Sequence, residues 1–177
     1  QKLKQDQDLA DAALASEPVN FLPLRDYQQK AVTAIEAAIQ SGNRTALLAM
    51  ATGTGKTRVC VSLIYRMIKA KKFRRALFLV DRTSLGEQAL DENFKQIKFD
   101  SGKPLTDIYE VKELGDIKPE TDTKVHIATI QGMMKRVLYP ADGEPPPSVG
   151  TYDLIVIDEC HRGYTLDKDL SEIELTF

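Results

Sequence analysis

The chain has 177 residues, 42% of them hydrophobic and 28% charged, and its formal net charge is −2. This composition predicts one soluble globular domain, and no apolar run approaches the roughly 18 residues of a membrane helix, so we expect no membrane partner. The two cysteines exclude a disulfide framework and fit a reducing cytoplasm, while the slightly negative charge excludes nucleic-acid binding through overall charge alone.

The first part of the chain predicts helices on either side of one strand. Residues 1–18 are polar and rich in alanine, which predicts a helix that ends before Pro18. A second helix is predicted from Asp26 to Gly42, because apolar side chains recur at helical spacing and a glycine closes the segment. The run TALLAM (45–50) predicts a short buried strand, after which the glycine-rich stretch ATGTG leads into a third, amphipathic helix.

Four more strands are predicted downstream, with helices between them. Their apolar runs are ALFLV (76–80), DIYEV (107–111), VHIATI (125–130) and DLIVI (153–157). Helical patterns lie around residues 84–95 and 131–138, and the proline-rich stretch 141–150 predicts a loop. Nearly apolar strands that alternate with helices predict a three-layer α/β domain, with a mostly parallel sheet and helices on both faces.

The stretch MATGTGKTR (50–58) has the composition and position of a phosphate-binding loop. Glycines between a strand and a helix let backbone N–H groups converge, and the helix directs its positive end at the phosphates. Lys56 would reach the β- and γ-phosphates of ATP, and the Thr57 hydroxyl would bind Mg²⁺. Met50 stands where the strict motif has glycine, so an ordinary glycine-rich turn is the alternative. The residues expected to surround ATP in this loop are Thr52, Gly53, Thr54, Gly55, Lys56, Thr57 and Arg58.

A second chemical cluster, Asp158-Glu159-Cys160-His161, directly follows the last predicted strand. A zinc site is disfavoured because the two cysteines and two histidines lack the spacing of zinc ligands. A thiol nucleophile is also disfavoured, because it needs a base within reach and residues adjacent in the chain seldom face one another. Paired carboxylates fit best, since ligands bind at the carboxyl ends of parallel strands. Asp158 would then hold Mg²⁺, and Glu159 would position and deprotonate the attacking water. Cys160 is assigned to packing, and His161 to sensing the surroundings of the γ-phosphate.

Five segments in a fixed order resemble one protein family. LRDYQQKAV, MATGTGKTR, LFLVDRTSLGEQA, VHIATIQGM and IDECHRGYTLD closely resemble the motor (restriction) subunit of bacterial type I restriction–modification enzymes, within superfamily 2 of helicases and translocases. The resemblance begins near Asn20 and implies a RecA-like P-loop NTPase fold, with residues 20–177 as an incomplete first motor domain. Residues 1–19 are expected to be a linker or an edge helix from a preceding domain. Because the chain starts with Gln1 and stops within a patterned stretch, we expect it to be a piece of a longer protein.

The resemblance also implies roles for individual residues. Arg25 and Gln28 match the motif that recognises adenine. The residues that match DNA-contacting motifs are Arg82, Thr83, Ser84, Thr129 and Gln131. Serine and threonine after a strand are often helix caps, which is the alternative for several of these positions. The basic stretch 66–75 is expected at the opposite sheet edge, as a solvated helix end or a contact with another domain, and not as a DNA site.

The function implied by the resemblance is an ATP- and Mg²⁺-dependent motor. It would move along double-stranded DNA, in a complex with methyltransferase and specificity subunits, before a separate nuclease domain cuts. A motor from another superfamily 2 branch, such as DNA repair, is the alternative among enzymes. A different class also stays open: hydrolysis in this superfamily uses arginines from the second motor domain, so this chain alone is expected to bind nucleotide and DNA without turnover.

Overall fold

A computed structural model describes residues 2–17, 23–81, 91, 94–99, 102–112, 121–140 and 145–160. The helices are α1 (Lys2–Ser16), α2 (Asp26–Gln40), α3 (Lys56–Lys69), α4 (Leu105–Ile108) and α5 (Ile130–Leu138). The strands are β1 (Ala76–Val80), β2 (Glu110–Lys112), β3 (Thr123–Thr129) and β4 (Leu154–Ile157). Within this part of the chain, no helix is long and apolar enough to cross a membrane.

The strands of the described residues form one parallel sheet in the order β2-β3-β1-β4. Every residue of β1 is buried, as expected of a central strand with a continuous apolar run. The predicted α/β class and parallel sheet are therefore confirmed. The prediction for residues 107–111 is only partly right, because the turn of helix α4 buries Leu105 completely and the strand begins later, at Glu110.

The prediction of a strand at residues 45–50 is wrong. These residues carry no strand, and Leu47 is 81% exposed. A strand needs hydrogen-bonding neighbours as well as apolar side chains, and β4, at one edge of the described sheet, pairs with β1 alone among the described strands. The loop motif that follows nevertheless leads into α3, as expected.

Helices cover both faces of the sheet in the described chain. On one face, Phe78 and Ile127 belong to the main core with residues of α1, α2 and α3, including Leu14 of α1. On the other face, Leu77, Leu79 and Ala128 pack against Met133 of α5 and neighbouring side chains. The division at residue 19 stays a prediction, although α1 contributes Leu14 to the main core.

Side chains of the basic stretch 66–75 are more buried, and form more ion pairs, than the sequence predicted. Arg66 is 2% exposed and forms an ion pair with Glu36, so it is not part of a solvated helix end. Lys69 and Lys72 bind the acidic residues Glu17 and Asp11 at α1. Long cationic side chains can be buried when partners satisfy their donors, and those partners come from segments that the local sequence does not reveal.

Candidate functional site

The glycine-rich loop has the conformation that its glycines predict. Gly53 and Gly55 have φ angles of 77° and 83°, in the region that favours glycine, and α3 begins at the next residue, Lys56. A Cβ atom added to Gly55 would lie 2.5 Å from Nε2 of Gln28. The backbone angle therefore favours glycine at position 55, and any larger residue would also have to displace the end of the Gln28 side chain. The free N–H groups of the first turn of α3 are available to an anion.

The loop and the acidic cluster meet in space, although they lie a hundred residues apart in the chain. Nζ of Lys56 and Oε1 of Glu159 are 2.6 Å apart, and each side chain is 21% exposed. The hydroxyl oxygen of Thr57 and Oδ2 of Asp158 are 3.5 Å apart, longer than a good hydrogen bond. Two oxygens suited to a hard cation thus lie beside a lysine–carboxylate pair.

The end of β4 directs the two carboxylates differently. The Asp158 N–H donates to the Leu79 carbonyl at 2.9 Å, so Asp158 still pairs with β1. Glu159 has a φ of 51°, in the left-handed region, and this turn ends the strand. The Glu159 N–H donates to Oδ1 of Asp158 at 2.9 Å. The turn holds the Asp158 carboxylate in place while the Glu159 side chain extends to Lys56.

The start of α2 contacts the same loop. Nε2 of Gln28 donates to the Thr54 carbonyl at 2.8 Å, and Oε1 of Gln28 accepts from the Arg25 N–H at 2.9 Å. The Tyr27 hydroxyl donates to the same Thr54 carbonyl at 3.0 Å and accepts from Arg25 at 3.2 Å. Gln28 and Arg25 were expected near the nucleotide, whereas no role at the site was predicted for Tyr27. The signal in the sequence for a role of Tyr27 at this site was its position directly before Gln28.

A cleft of about 410 Å³ lies between α2 and the segment before the loop. Its lining includes Tyr27, Lys30, Ala31, Leu48, Met50 and Thr54. Arg58, in the first turn of α3, is partly buried, and its Nε has no hydrogen-bond partner. The loop therefore borders an open cleft with a largely apolar lining, and Lys56 and Arg58 supply cationic groups in the first turn of the helix that follows.

Comparison with known proteins assigns the chain to a family. Residues 21–175 match the family described as "Type III restriction enzyme, res subunit". The chain belongs to this family. It is 48% identical over 174 residues to the type I restriction enzyme EcoKI endonuclease subunit of Escherichia coli (strain K12). The aligned region covers 98% of this chain and 14% of that relative. The chain thus spans a small part of its relative.

Two solved structures of restriction enzymes have a similar fold. A fragment of an HsdR subunit of a type I restriction enzyme from Vibrio vulnificus YJ016 has a TM-score of 0.50 and 25% identity, covering 89% of this chain and 25% of that chain. The Type ISP enzyme LlaGI, a nuclease-deletion mutant in complex with a DNA substrate mimic, has a TM-score of 0.50 and 23% identity, covering 78% of this chain and 15% of that chain. The resemblance to the type I restriction subunit and its RecA-like fold is confirmed.

In this member of the restriction-subunit family, Thr129 lies at the same sheet edge as Asp158. Thr129 pairs with Val80 of β1, and Asp158 follows β4 on the other side of β1, so about 10 Å separates the two positions. The Thr129 hydroxyl accepts from the Gly132 N–H at 3.0 Å and caps α5, which is the alternative role for this residue. Gln131 is exposed in the first turn of α5. Arg82, Thr83, Ser84 and His161 lie outside the described residues.

The two cysteines of this family member have different surroundings. Burial, and then the nearby Asp158 carboxylate, raise the pKa of the Cys60 thiol to about 12. Cys60 is therefore protonated at neutral pH and is not a nucleophile. Cys160 is partly buried beside Glu159. Among the described residues, no group of three or more histidine, cysteine or acidic side chains could hold a metal ion.

Proposed function

We propose that this chain is the ATP-binding, Mg²⁺-dependent first motor domain of the restriction subunit of a type I restriction enzyme, coupling ATP hydrolysis to movement along double-stranded DNA. The observation that supports this most directly is the 2.6 Å contact between Lys56 and Glu159. It joins a phosphate-type loop to a carboxylate at the end of a parallel strand. Phosphoryl transfer needs both groups at one site.

The loop residues would bind the nucleotide. Backbone N–H groups from Thr52 to Arg58, together with the Lys56 ammonium, would neutralise the phosphate oxygens. The Lys56–Glu159 pair must then separate, because the ammonium turns to the phosphates. This exchange would free the Glu159 carboxylate to accept a proton from the attacking water.

The oxygens of Thr57 and Asp158 are suited to Mg²⁺, which binds hydroxyl, carboxylate and phosphate oxygens. When bound, the ion would neutralise charge on the β- and γ-phosphates. Asp158 is fixed for this task by its backbone bond to Leu79 and by the Glu159 N–H. Arg25 and Gln28 would recognise the adenine from the start of α2.

DNA would be held at the carboxyl edge of the sheet through its phosphates, without sequence readout. The residues proposed for this contact are Arg82, Thr83, Ser84, Thr129 and Gln131, with His161 linking DNA contact to the γ-phosphate. The Thr129 hydroxyl accepts from the Gly132 N–H and still has its own hydrogen to donate to a phosphate oxygen. Methyltransferase and specificity subunits would complete the assembly.

The test is Mg-ATP binding and steady-state hydrolysis by the intact subunit with Lys56→Ala. Loss of a charge-assisted contact should weaken binding about 10- to 100-fold, and hydrolysis should be abolished. Lys71→Ala is the matched control, since Lys71 is an exposed lysine just beyond the other end of α3 and should leave both unchanged. Normal turnover by Lys56→Ala would contradict the proposed site. The isolated chain should bind Mg-ATP without turnover.

A further inference from the structure

The buried stripe of α2 is unusually polar. Within α2, all of which the structure describes, the buried residues are Gln28, Val32 and Glu36, at intervals of four. They lie on one helix face, with a single apolar residue between two polar ones. The apolar side chains Ala31, Ile35 and Ile39 are only partly buried. These apolar side chains pack against the core, so the placement of α2 against α3 depends both on them and on the polar contacts at the two ends of this stripe.

The first polar contact reaches the phosphate loop. Gln28 donates to the Thr54 carbonyl at 2.8 Å, and its Nε2 lies where a side chain on Gly55 would begin. Because the Gln28 side chain touches the loop, a movement of the start of α2 must either break this hydrogen bond or move the loop with it.

The second polar contact reaches the far part of α3. Nε and Nη2 of Arg66 donate to the two carboxylate oxygens of Glu36, at 2.5 Å and 3.0 Å. The same guanidinium donates to the carbonyls of Leu14 and Glu17, at 3.1 Å and 3.0 Å. Leu14 lies in the last turn of α1, where carbonyls have no partners within the helix, and Glu17 directly follows the helix. One buried arginine thus holds α1, α2 and α3 together.

We propose that Glu36 and Arg66 are positioning residues for the nucleotide site, and that they act on the phosphate loop through Gln28. Glu36 lies eight residues beyond Gln28, about 12 Å along the helix. With Glu36 released, α2 can pivot about Val32, and the Gln28 amide moves off the Thr54 carbonyl. The buried ion pair then supports nucleotide binding by fixing the angle of α2, in addition to contributing to the fold.

The inference rests on the proposed function, because its measurement is the affinity for Mg-ATP. In the intact subunit, Glu36→Ala should weaken Mg-ATP binding about fivefold, the value of one hydrogen bond. Glu36→Gln keeps one acceptor oxygen for Arg66 and should recover part of this loss. Affinities are measured well below the melting temperature of each variant, because a buried arginine without its partner lowers stability.

A double variant separates positioning from general destabilisation. If Glu36 acts through Gln28, then Gln28→Ala with Glu36→Ala should bind Mg-ATP no more weakly than Gln28→Ala alone, although its melting temperature is lower. Asp11→Ala is the matched control: it removes the partner of Lys72 at α1 but leaves the Arg66–Glu36 pair in place, so affinity should stay unchanged.

Two outcomes would overturn this inference alone: unchanged affinity in both Glu36 variants, or losses that add to that of Gln28→Ala. If Glu36→Ala does not fold, Glu36→Gln and its combination with Gln28→Ala decide by the same comparison. If the unaltered subunit fails to bind Mg-ATP, the proposed function falls as well, and the two failures are thereby distinguished.

Discussion

Replacing Glu159 by glutamine tests the assignment of the base most directly. The amide has nearly the size of the carboxylate but cannot take a proton from water. A general base contributes about 10²- to 10⁴-fold, so hydrolysis by the intact subunit should fall by about that factor. The turn at Glu159 should persist, since its backbone contact to Asp158 does not involve the side chain.

The same substitution should affect binding in the opposite direction. Before nucleotide binds, Glu159 and Lys56 form an ion pair in which both side chains remain 21% exposed. A pair with this access to water is worth at most about 1 kcal/mol, and it must break when Lys56 turns to the phosphates. Glutamine weakens that pair in advance, so the affinity for Mg-ATP should be unchanged or up to about fivefold tighter.

The assay combines Mg-ATP titration with steady-state hydrolysis on the same preparations. Binding retained with hydrolysis lost supports the separation of roles between Lys56 and Glu159. A near-normal rate for Glu159→Gln would show that Glu159 is not the base. A large loss of affinity would refute the exchange of Lys56 from Glu159 to the phosphates.

Three further results are expected. Asp158→Asn should raise the Mg²⁺ concentration needed for half-maximal hydrolysis as well as slow it, and an unchanged magnesium titration would argue against a metal role. Gly55→Ala should weaken Mg-ATP binding, because its Cβ would meet the Gln28 amide and its φ is 83°; wild-type affinity would contradict this. Cys60, with a thiol pKa of about 12, should resist alkylation at about pH 8 in the folded protein, and rapid labelling seen by mass spectrometry would show a thiolate.

The sequence by itself determined the elements whose signals are local. Continuous apolar runs predicted β1 and β4, and the glycines followed by Lys56 predicted a loop that opens a helix. These predictions succeed because few residues other than glycine adopt the left-handed region, and because β1 and β4 find hydrogen-bonding partners in the sheet. The acidic cluster was different: its four residues left three chemistries open, and only the position after a strand favoured the carboxylates.

Only the tertiary structure decided which distant groups meet. Residues 45–50 have the sequence of a strand but lack one in the described structure, since pairing depends on segments far along the chain. The sequence around Arg66 is typical of a surface cation. In the structure, the Leu14 and Glu17 carbonyls and the Glu36 carboxylate satisfy its donors and allow its burial. The contact between Lys56 and Glu159 spans 103 positions. Such contacts depend on how the chain packs, because the energy of a buried charge or an unpaired backbone group is set by its neighbours in space.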